Sequence, residues 1–219
     1  MHTLLLISIL LFSFNVNFFN LPGDCDYNPG PCIEGEMDTQ YITSIAAKAP
    51  LTYYAYDESA SYPEYIKAVS NDPNCALVHS MSYGWNEYYE DPSDMKAFNV
   101  AVQKLALRGV SVLASTGDDG VANQRARQDD SFCGFYPSFP ASSPYVLAVG
   151  ATRGPESHLP SEIVCSARTG GDITSGGGFS GQFKRPVWQN KAVSNFLSTS
   201  KDLPPAKDYG STGRGKYFK

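Results

Sequence analysis

The sequence predicts an α/β fold: a doubly wound, mainly parallel sheet with helices on both faces. Three observations carry this expectation. Short apolar runs of strand character occur at 52–56, 76–81 and 110–115. Segments with apolar residues at helical spacing alternate with them, and Pro, Gly and Asn-Asp turn signals separate the two kinds of segment. In such sheets chemistry gathers in the loops that leave the carboxyl ends of the strands.

The elements follow in order. Residues 36–49 place Met37, Tyr41, Ile42, Ile45 and Ala49 at helical spacing, and Pro50 closes the segment. A strand at 52–56 precedes a helix at 62–70 that begins near Pro63. After the turn Asn71-Asp72-Pro73 comes the apolar strand 76–81. Asp91-Pro92-Ser93 opens a helix that sets Met95, Phe98, Val102, Leu105 and Ala106 on one face, and Gly109 stops it. The strand 110–115 follows. A proline-fixed loop from Pro137 to Tyr145 leads into a strand at 146–150, and residues 188–197 form the last helix.

Composition narrows the function. A chain of 219 residues, 42% hydrophobic, can bury a substantial core. Its net charge is -5 and its longest basic run is Lys184-Arg185, which argues against a nucleic-acid surface. The near-continuous apolar run from Leu4 to Phe12 is shorter than the ~20 residues that span a bilayer, so no stable membrane span is expected. Residues 1–20 instead have the length of a secretory leader, although no Lys or Arg precedes the run; a buried strand is the rival reading. Residues 21–219 then form the folded domain. Of five cysteines, Cys25 with Cys32 and Cys133 with Cys165 are plausible disulfides, and Cys75 reads as a buried thiol.

Four stretches carry candidate chemistry. Glu34 and Asp38 are four residues apart near a helix start, so both acids lie on one face about one turn apart. Carboxylates that close share hydrogen-bond partners and have their pKa values pushed apart, although acids in a first helical turn are more often solvated caps. Ser82-Tyr83-Gly84 leaves the strand 76–81. Gly117-Asp118-Asp119-Gly120 leaves the strand 110–115, holding an acid between glycines. A third glycine-rich run, Ser175-Gly176-Gly177-Gly178-Phe179-Ser180-Gly181, contains a literal Gly-x-Gly-x-x-Gly. It is not read as a dinucleotide fingerprint, because 182–186 does not begin a helix.

These blocks resemble the sedolisin family of serine-carboxyl peptidases from about Pro29 to Arg214. Glu34-x-x-x-Asp38-x-Gln40-Tyr41, Ser82-Tyr83-Gly84, Gly117-Asp118-x-Gly120, Phe139-Pro140-Ala141-Ser142-Ser143-Pro144 and Ser175-Gly176-Gly177-Gly178-Phe179-Ser180 occur in the family's order. The resemblance implies a subtilisin-like fold in which Glu34 is the general base, Asp38 orients it and Asp118 lines the oxyanion hole. Asp118 would donate a hydrogen bond only when protonated, which implies acidic working conditions. Ser82, Tyr83, Gly84, Ser175, Gly176, Gly177 and Gly178 would pair with an extended peptide or unfolded protein substrate. An acidic compartment, secreted or lysosome-like, follows from the same resemblance.

The chain also departs from the pattern. The family's nucleophilic Ser lies in a Gly-Thr-Ser motif downstream, and its calcium ligands follow that Ser; neither is found before Lys219. The expectation is an incomplete catalytic domain, its carboxyl-terminal part missing and inactive as written. Trp85 stands where tripeptidyl-peptidase-like relatives often carry an acid, which leaves endopeptidase and tripeptidyl-peptidase activity both open. A peptide-binding pseudo-peptidase or a gene-model fragment is the alternative. A His-dependent hydrolase would need His79 or His158 beside a Ser, but His79 lies on an apolar strand and reads as a core hydrogen-bonding group.

Overall fold

The computed structural model describes residues 4–9, 17–19, 29–56, 61–132, 134–154, 158–201 and 203–205. They fall into two compact units. The first holds residues up to Tyr83 with Ser93–Ala114 and Tyr145–Leu147; the second holds Gly84–Pro92, Ser115–Pro144 and the residues from Ala148 on.

One six-stranded sheet is the main scaffold, with most of its residues in the first unit. Its strands are β1 (Leu4–Ile9), β2 (Asn17–Phe19), β3 (Leu51–Tyr56), β4 (Val78–Met81), β6 (Ser111–Ser115) and β8 (Leu147–Val149), in the order β2-β3-β1-β4-β6-β8. Pairing is parallel between β2 and β3 and between β4 and β6, with Val78 opposite Ser111 and Met81 opposite Ala114. The strand β1 runs antiparallel to both β3 and β4. Thus Leu4–Ile9 of the apolar run near the start, read above as a leader core with a buried strand as its rival, is here an inner strand of the sheet. Strands at 51–56, 78–81, 111–115 and 147–149 match the expected ones to within two residues at each end.

The helices of this unit show why the sequence reading worked in two cases and slipped in one. The helix α2 (Tyr62–Asn71) starts at Ser61, whose side chain accepts from the Glu64 N–H while the Glu64 carboxylate accepts from the Ser61 N–H. This capping box pairs donors that a helix start leaves open, and a cap of this kind contributes about 1 kcal/mol. Tyr65, Ile66 and Val69 on its inner face are buried. The helix α3 (Pro92–Leu107) buries Met95, Phe98, Val102 and Leu105, as their spacing predicts, and ends before Gly109, whose φ of +82° suits glycine. Arg108 ties the two helix ends together, donating to the carbonyls of Ser70 at 2.9 Å and Asp72 at 2.6 Å.

The helix α1 (Pro29–Ile45) differs from its prediction. It begins seven residues earlier than expected, since prolines fit a first turn whose N–H groups have no helical partner. It also turns the other way: Met37, Tyr41 and Ile45 are 45%, 72% and 89% exposed. The stripe that faces inward is Glu34, Asp38 and Ile42, with Gly35 buried beside it.

Loops and short strands build the second unit. The strands β5 (Trp85–Asn86) and β7 (Ser138–Phe139) pair antiparallel, as do β9 (Thr152–Arg153) and β10 (Ile163–Val164). The final helix α4 (Asn190–Thr199) follows a single 3₁₀ turn at Val187–Gln189. Phe139 is fully buried and its ring lies 6.5 Å from that of Phe183.

The cysteine expectations divide. Cys75 is a buried free thiol, as read. Cys165 is also a buried free thiol, so the Cys133–Cys165 disulfide is corrected. Its sulfur is enclosed by the loop it opens, 3.4 Å from the Ile173 carbonyl, and a Cβ added at Gly171 would meet it at 2.7 Å. Cys32 is disulfide-bonded. Cys25 and Cys133 lie outside the described residues.

His79 is a core group. Its Nε2 faces the Ala76 carbonyl at 3.0 Å and its Nδ1 faces the Tyr65 hydroxyl at 2.7 Å. Burial pushes its pKa down to about 4 from 6.5, so the ring is neutral at pH 7, donating to Ala76 and accepting from Tyr65. His158 sits exposed with φ of 60°. Neither arrangement offers a His base to a serine.

Two outcomes follow for this pair. Tyr65→Phe removes the donor to a buried ring nitrogen and lowers unfolding free energy by about 1–3 kcal/mol in urea titration at pH 7. Because the folded pKa of His79 lies below the unfolded one, its contribution is intact above pH 6.5 and declines as pH falls toward 4. At about 1.4 kcal/mol per pH unit the loss reaches roughly 3 kcal/mol. Urea midpoints measured from pH 7 to 4 check this, and His79→Gln flattens that part of the profile.

Candidate active site

The inward stripe of α1 places two acids beside strand ends. Glu34 and Asp38 are both half-buried, and Ile42, one turn on, packs against the cluster of Leu51 and Tyr53 on β3. Ser82 follows directly after β4, and its Oγ donates to Asp38 Oδ2 at 2.6 Å. Burial raises the Asp38 pKa above the ordinary carboxylate range, and the Ser82 hydrogen bond opposes that rise. Tyr53 and Tyr83 complete the surroundings. Burial pushes the Tyr83 phenol up to about 12, with the charges of Glu34 and Asp38 adding to the effect. The Tyr53 phenol is raised by burial first, then by Tyr83, Asp38 and Glu34. Both phenols therefore stay neutral in the presence of the acids. The arrangement sets two carboxyl groups on one half-buried helix face, with the proton-bearing form of Asp38 favoured by its burial.

The second unit carries the other predicted residues. Gly117 and Gly120 take φ of 90° and 59°, conformations that leave Asp118 exposed at the tip of the turn after β6. Backbone hydrogen bonds lace this turn to the glycine-rich run. Thr174 N–H donates to Asp118 O at 2.8 Å, Gly120 N–H to Thr174 O at 2.9 Å and Gly176 N–H to Gly117 O at 2.7 Å. Ser175 is held as well, its Oγ accepting from Ala151 N–H at 2.9 Å. Gly177 and Gly178 lie beyond the lacing and are exposed. Asp118, Asp119, Asn123, Arg127, Asp172 and Thr174 line a polar cavity of about 460 Å³, in which Arg127 Nε pairs with Asp119. Gly84 makes a close approach of its own: a Cβ there would come within 2.9 Å of the Phe139 carbonyl oxygen.

A carboxylate pair at a helix face, an acid at the tip of a strand-end turn and a laced glycine run coincide with a sequence match over most of the chain. Residues 26–210 match the model of the subtilase family. The chain belongs to the subtilase family. Within it the chain is sedolisin-like: it is 35% identical over 187 residues to human tripeptidyl-peptidase 1, covering 83% of this chain and 31% of the relative. The mouse tripeptidyl-peptidase 1 is 33% identical over 186 residues. Among solved structures, Pseudomonas sedolisin, a serine-carboxyl proteinase complexed with two molecules of pseudo-iodotyrostatin, superposes with a TM-score of 0.60 at 26% identity. That match covers 84% of this chain and 54% of the sedolisin chain. The chain spans about a third of the length of the curated relatives it matches. Its fold is subtilisin-like.

Several groups around Glu34 and Asp38 are not legible in the sequence. The Ser82 side chain, read only for its backbone, is the hydrogen-bond donor to Asp38. Tyr53 reads as a strand residue and Tyr83 as part of the substrate-pairing loop, and both turn out to border the acids. Their one available signal is position, since all three lie in β3 or directly after β4. Among the described residues no group of three or more His, Cys, Asp or Glu side chains is placed to hold a metal ion. Among the described residues no helix is long and apolar enough to cross a membrane.

The glycines make a paired test. A Cβ at Gly176 would fall 1.8 Å from the Thr116 carbonyl oxygen, a backbone atom that cannot step aside, whereas at Gly177 it would meet nothing within 4 Å. Gly176→Ala is expected to cost about 3 kcal/mol or more in denaturant unfolding, and Gly177→Ala less than about 1 kcal/mol. Asp38 makes a second. Its folded pKa is raised from 3.8, so ionised Asp38 opposes folding at pH 7 and the cost vanishes as pH falls through the raised value. Asp38→Asn, which can still accept from Ser82, raises the melting temperature by roughly 1–3 °C at pH 7, with the gain shrinking towards pH 4.

Proposed function

We propose that this chain is the base-bearing part of a serine-carboxyl peptidase that hydrolyses peptide bonds at acidic pH. The observation that carries the proposal is the inward stripe of α1, where Glu34 and Asp38 occupy helix positions that a purely structural helix fills with apolar side chains. In this reading Glu34 takes the proton of a serine hydroxyl as its oxygen attacks the substrate carbonyl carbon. The proton then passes to the departing amine, and water, deprotonated in turn by Glu34, releases the acyl group. The serine is that of the downstream Gly-Thr-Ser motif the resemblance implies. Asp38, held by Ser82, orients Glu34 and keeps a proton available to it. Asp118 donates to the developing oxyanion in its protonated form. Main-chain groups of Ser82–Gly84 and of Ser175–Gly178 pair with an extended peptide. An acidic compartment, lysosome-like or extracellular, suits such a pH dependence.

Turnover tests the roles. A form extended through the Gly-Thr-Ser segment cleaves an unfolded protein near pH 4, and Glu34→Gln lowers its kcat/KM by about 10³-fold. Retained turnover in that variant overturns the Glu base. Asp118→Asn, a permanent amide donor, keeps part of the turnover and loses part of the acid dependence; an unchanged pH profile removes Asp118 from the oxyanion role. Mass spectrometry of the products separates tripeptide release from internal cleavage. If the extended form binds peptide and never cuts, the peptide-binding reading replaces this one.

A further inference from the structure

Glu87 is a buried carboxylate that the mechanism above does not use. It lies directly after β5 and is 0% exposed. Both its oxygens accept from neighbouring residues of one distant loop: Oε1 from the Ser180 hydroxyl, Oε2 from the Gly181 N–H at 2.8 Å. The Ser180 oxygen in turn accepts from the N–H groups of Gln182 at 3.1 Å and Phe183 at 2.8 Å. At the near end the Glu87 N–H donates to the Pro137 carbonyl at 3.0 Å. Burying a carboxylate is costly, and an apolar side chain would fill such a space at less cost. What the carboxylate offers instead is two acceptors on one rigid group, which fix two consecutive residues at once.

The fixed residues adjoin the exposed glycines. Gly176 is anchored through Gly117 on one side, and Ser180 and Gly181 are anchored through Glu87 on the other. Gly177 and Gly178 span the gap, exposed, and a Cβ at Gly177 would touch nothing within 4 Å. Glycine is the residue type that loses most conformational freedom when ordered, so a run of three needs both ends held to present a defined edge. Glu87 also stands three residues after Gly84, so the same side chain links the two glycine-bearing segments assigned to substrate.

We propose that Glu87, acting through Ser180 and Gly181, is a positioning residue that holds Gly177 and Gly178 in the conformation that receives a peptide strand. The positioning stands on the hydrogen bonds; its use by a peptide rests on the function proposed above.

The experiment compares the full chain with Glu87→Gln, Ser180→Ala and the double variant. It reads amide hydrogen exchange over 175–181, exchange over β6 as an internal control, and anisotropy of a fluorescein-labelled alanine-rich hexapeptide. Each single variant speeds exchange at 175–181 by about 10-fold, leaves β6 unchanged and weakens peptide binding by a similar factor. The double variant adds little beyond Glu87→Gln, which already weakens both hydrogen bonds, including the one Ser180→Ala removes. Ser180→Ala retains the Gly181 hydrogen bond and covers the case in which Glu87→Gln does not fold. Unchanged exchange at 175–181 in the folded variants, or equal acceleration in β6, overturns the proposal. If exchange responds while no form binds the peptide, the positioning role holds and the peptide reading of the segment falls.

Discussion

The hydrogen bond from Ser82 to Asp38 is the contact around which the first unit is arranged. A helix that turns carboxyl groups inward must offset the water they lose: at Asp38 the Ser82 hydroxyl donates a hydrogen bond, while burial raises the Asp38 pKa. The geometry depends on the sheet. Strand β4 ends at Met81, so Ser82 is the first residue free of the ladder, and the parallel pairing of β4 with β6 fixes where that end lies. One further consequence concerns the phenols. Tyr53 from β3 and Tyr83 after β4 have their ionisation suppressed by the same burial, so no additional negative charge arises beside the pair at neutral or acid pH.

The second unit solves a different problem, that of holding a glycine-rich backbone still without side chains. Its means are close approach and backbone hydrogen bonding. Gly176 lies so near Thr116 that no Cβ fits, and that proximity allows its N–H to reach the Gly117 carbonyl at 2.7 Å. The turn bearing Asp118 and the run bearing Ser175 are therefore one hydrogen-bonded piece, whose position Thr116 secures by donating to Val149 at 3.0 Å. A displacement of either segment is a displacement of both.

How far the sequence discloses this varies with the kind of information each feature needs. The helices α2 and α3 were legible because local signals agree with burial there: Ser61 and Glu64 cap one, and the Met95, Phe98, Val102, Leu105 spacing matches the buried face of the other. The helix α1 was legible as a helix and misleading as to its face. Met37, Tyr41 and Ile45 form the more apolar stripe, yet Glu34 and Asp38 face inward, the kind of conflict between pattern and placement expected where a site is built. Glu34, Asp38 and Asp118 could be nominated through motif spacing, which is local. The Ser82 donor, the Glu87 link and the free Cys165 could not, because each depends on a partner distant in the chain or on the path of a loop.

Two buried groups also set opposed limits on acid conditions. Asp38 favours them: its raised pKa makes protonation relieve the cost of its burial as pH falls. His79 opposes them, since its ring is held neutral by Tyr65 and Ala76 and its stabilising contribution declines between pH 6.5 and about 4. Both lie in the first unit, one on helix α1 beside the end of strand β4 and the other within β4. As pH falls, then, the cost of burying ionised Asp38 declines while the stabilising contribution of neutral His79 is lost towards about 4, so the two groups tilt stability in opposite directions.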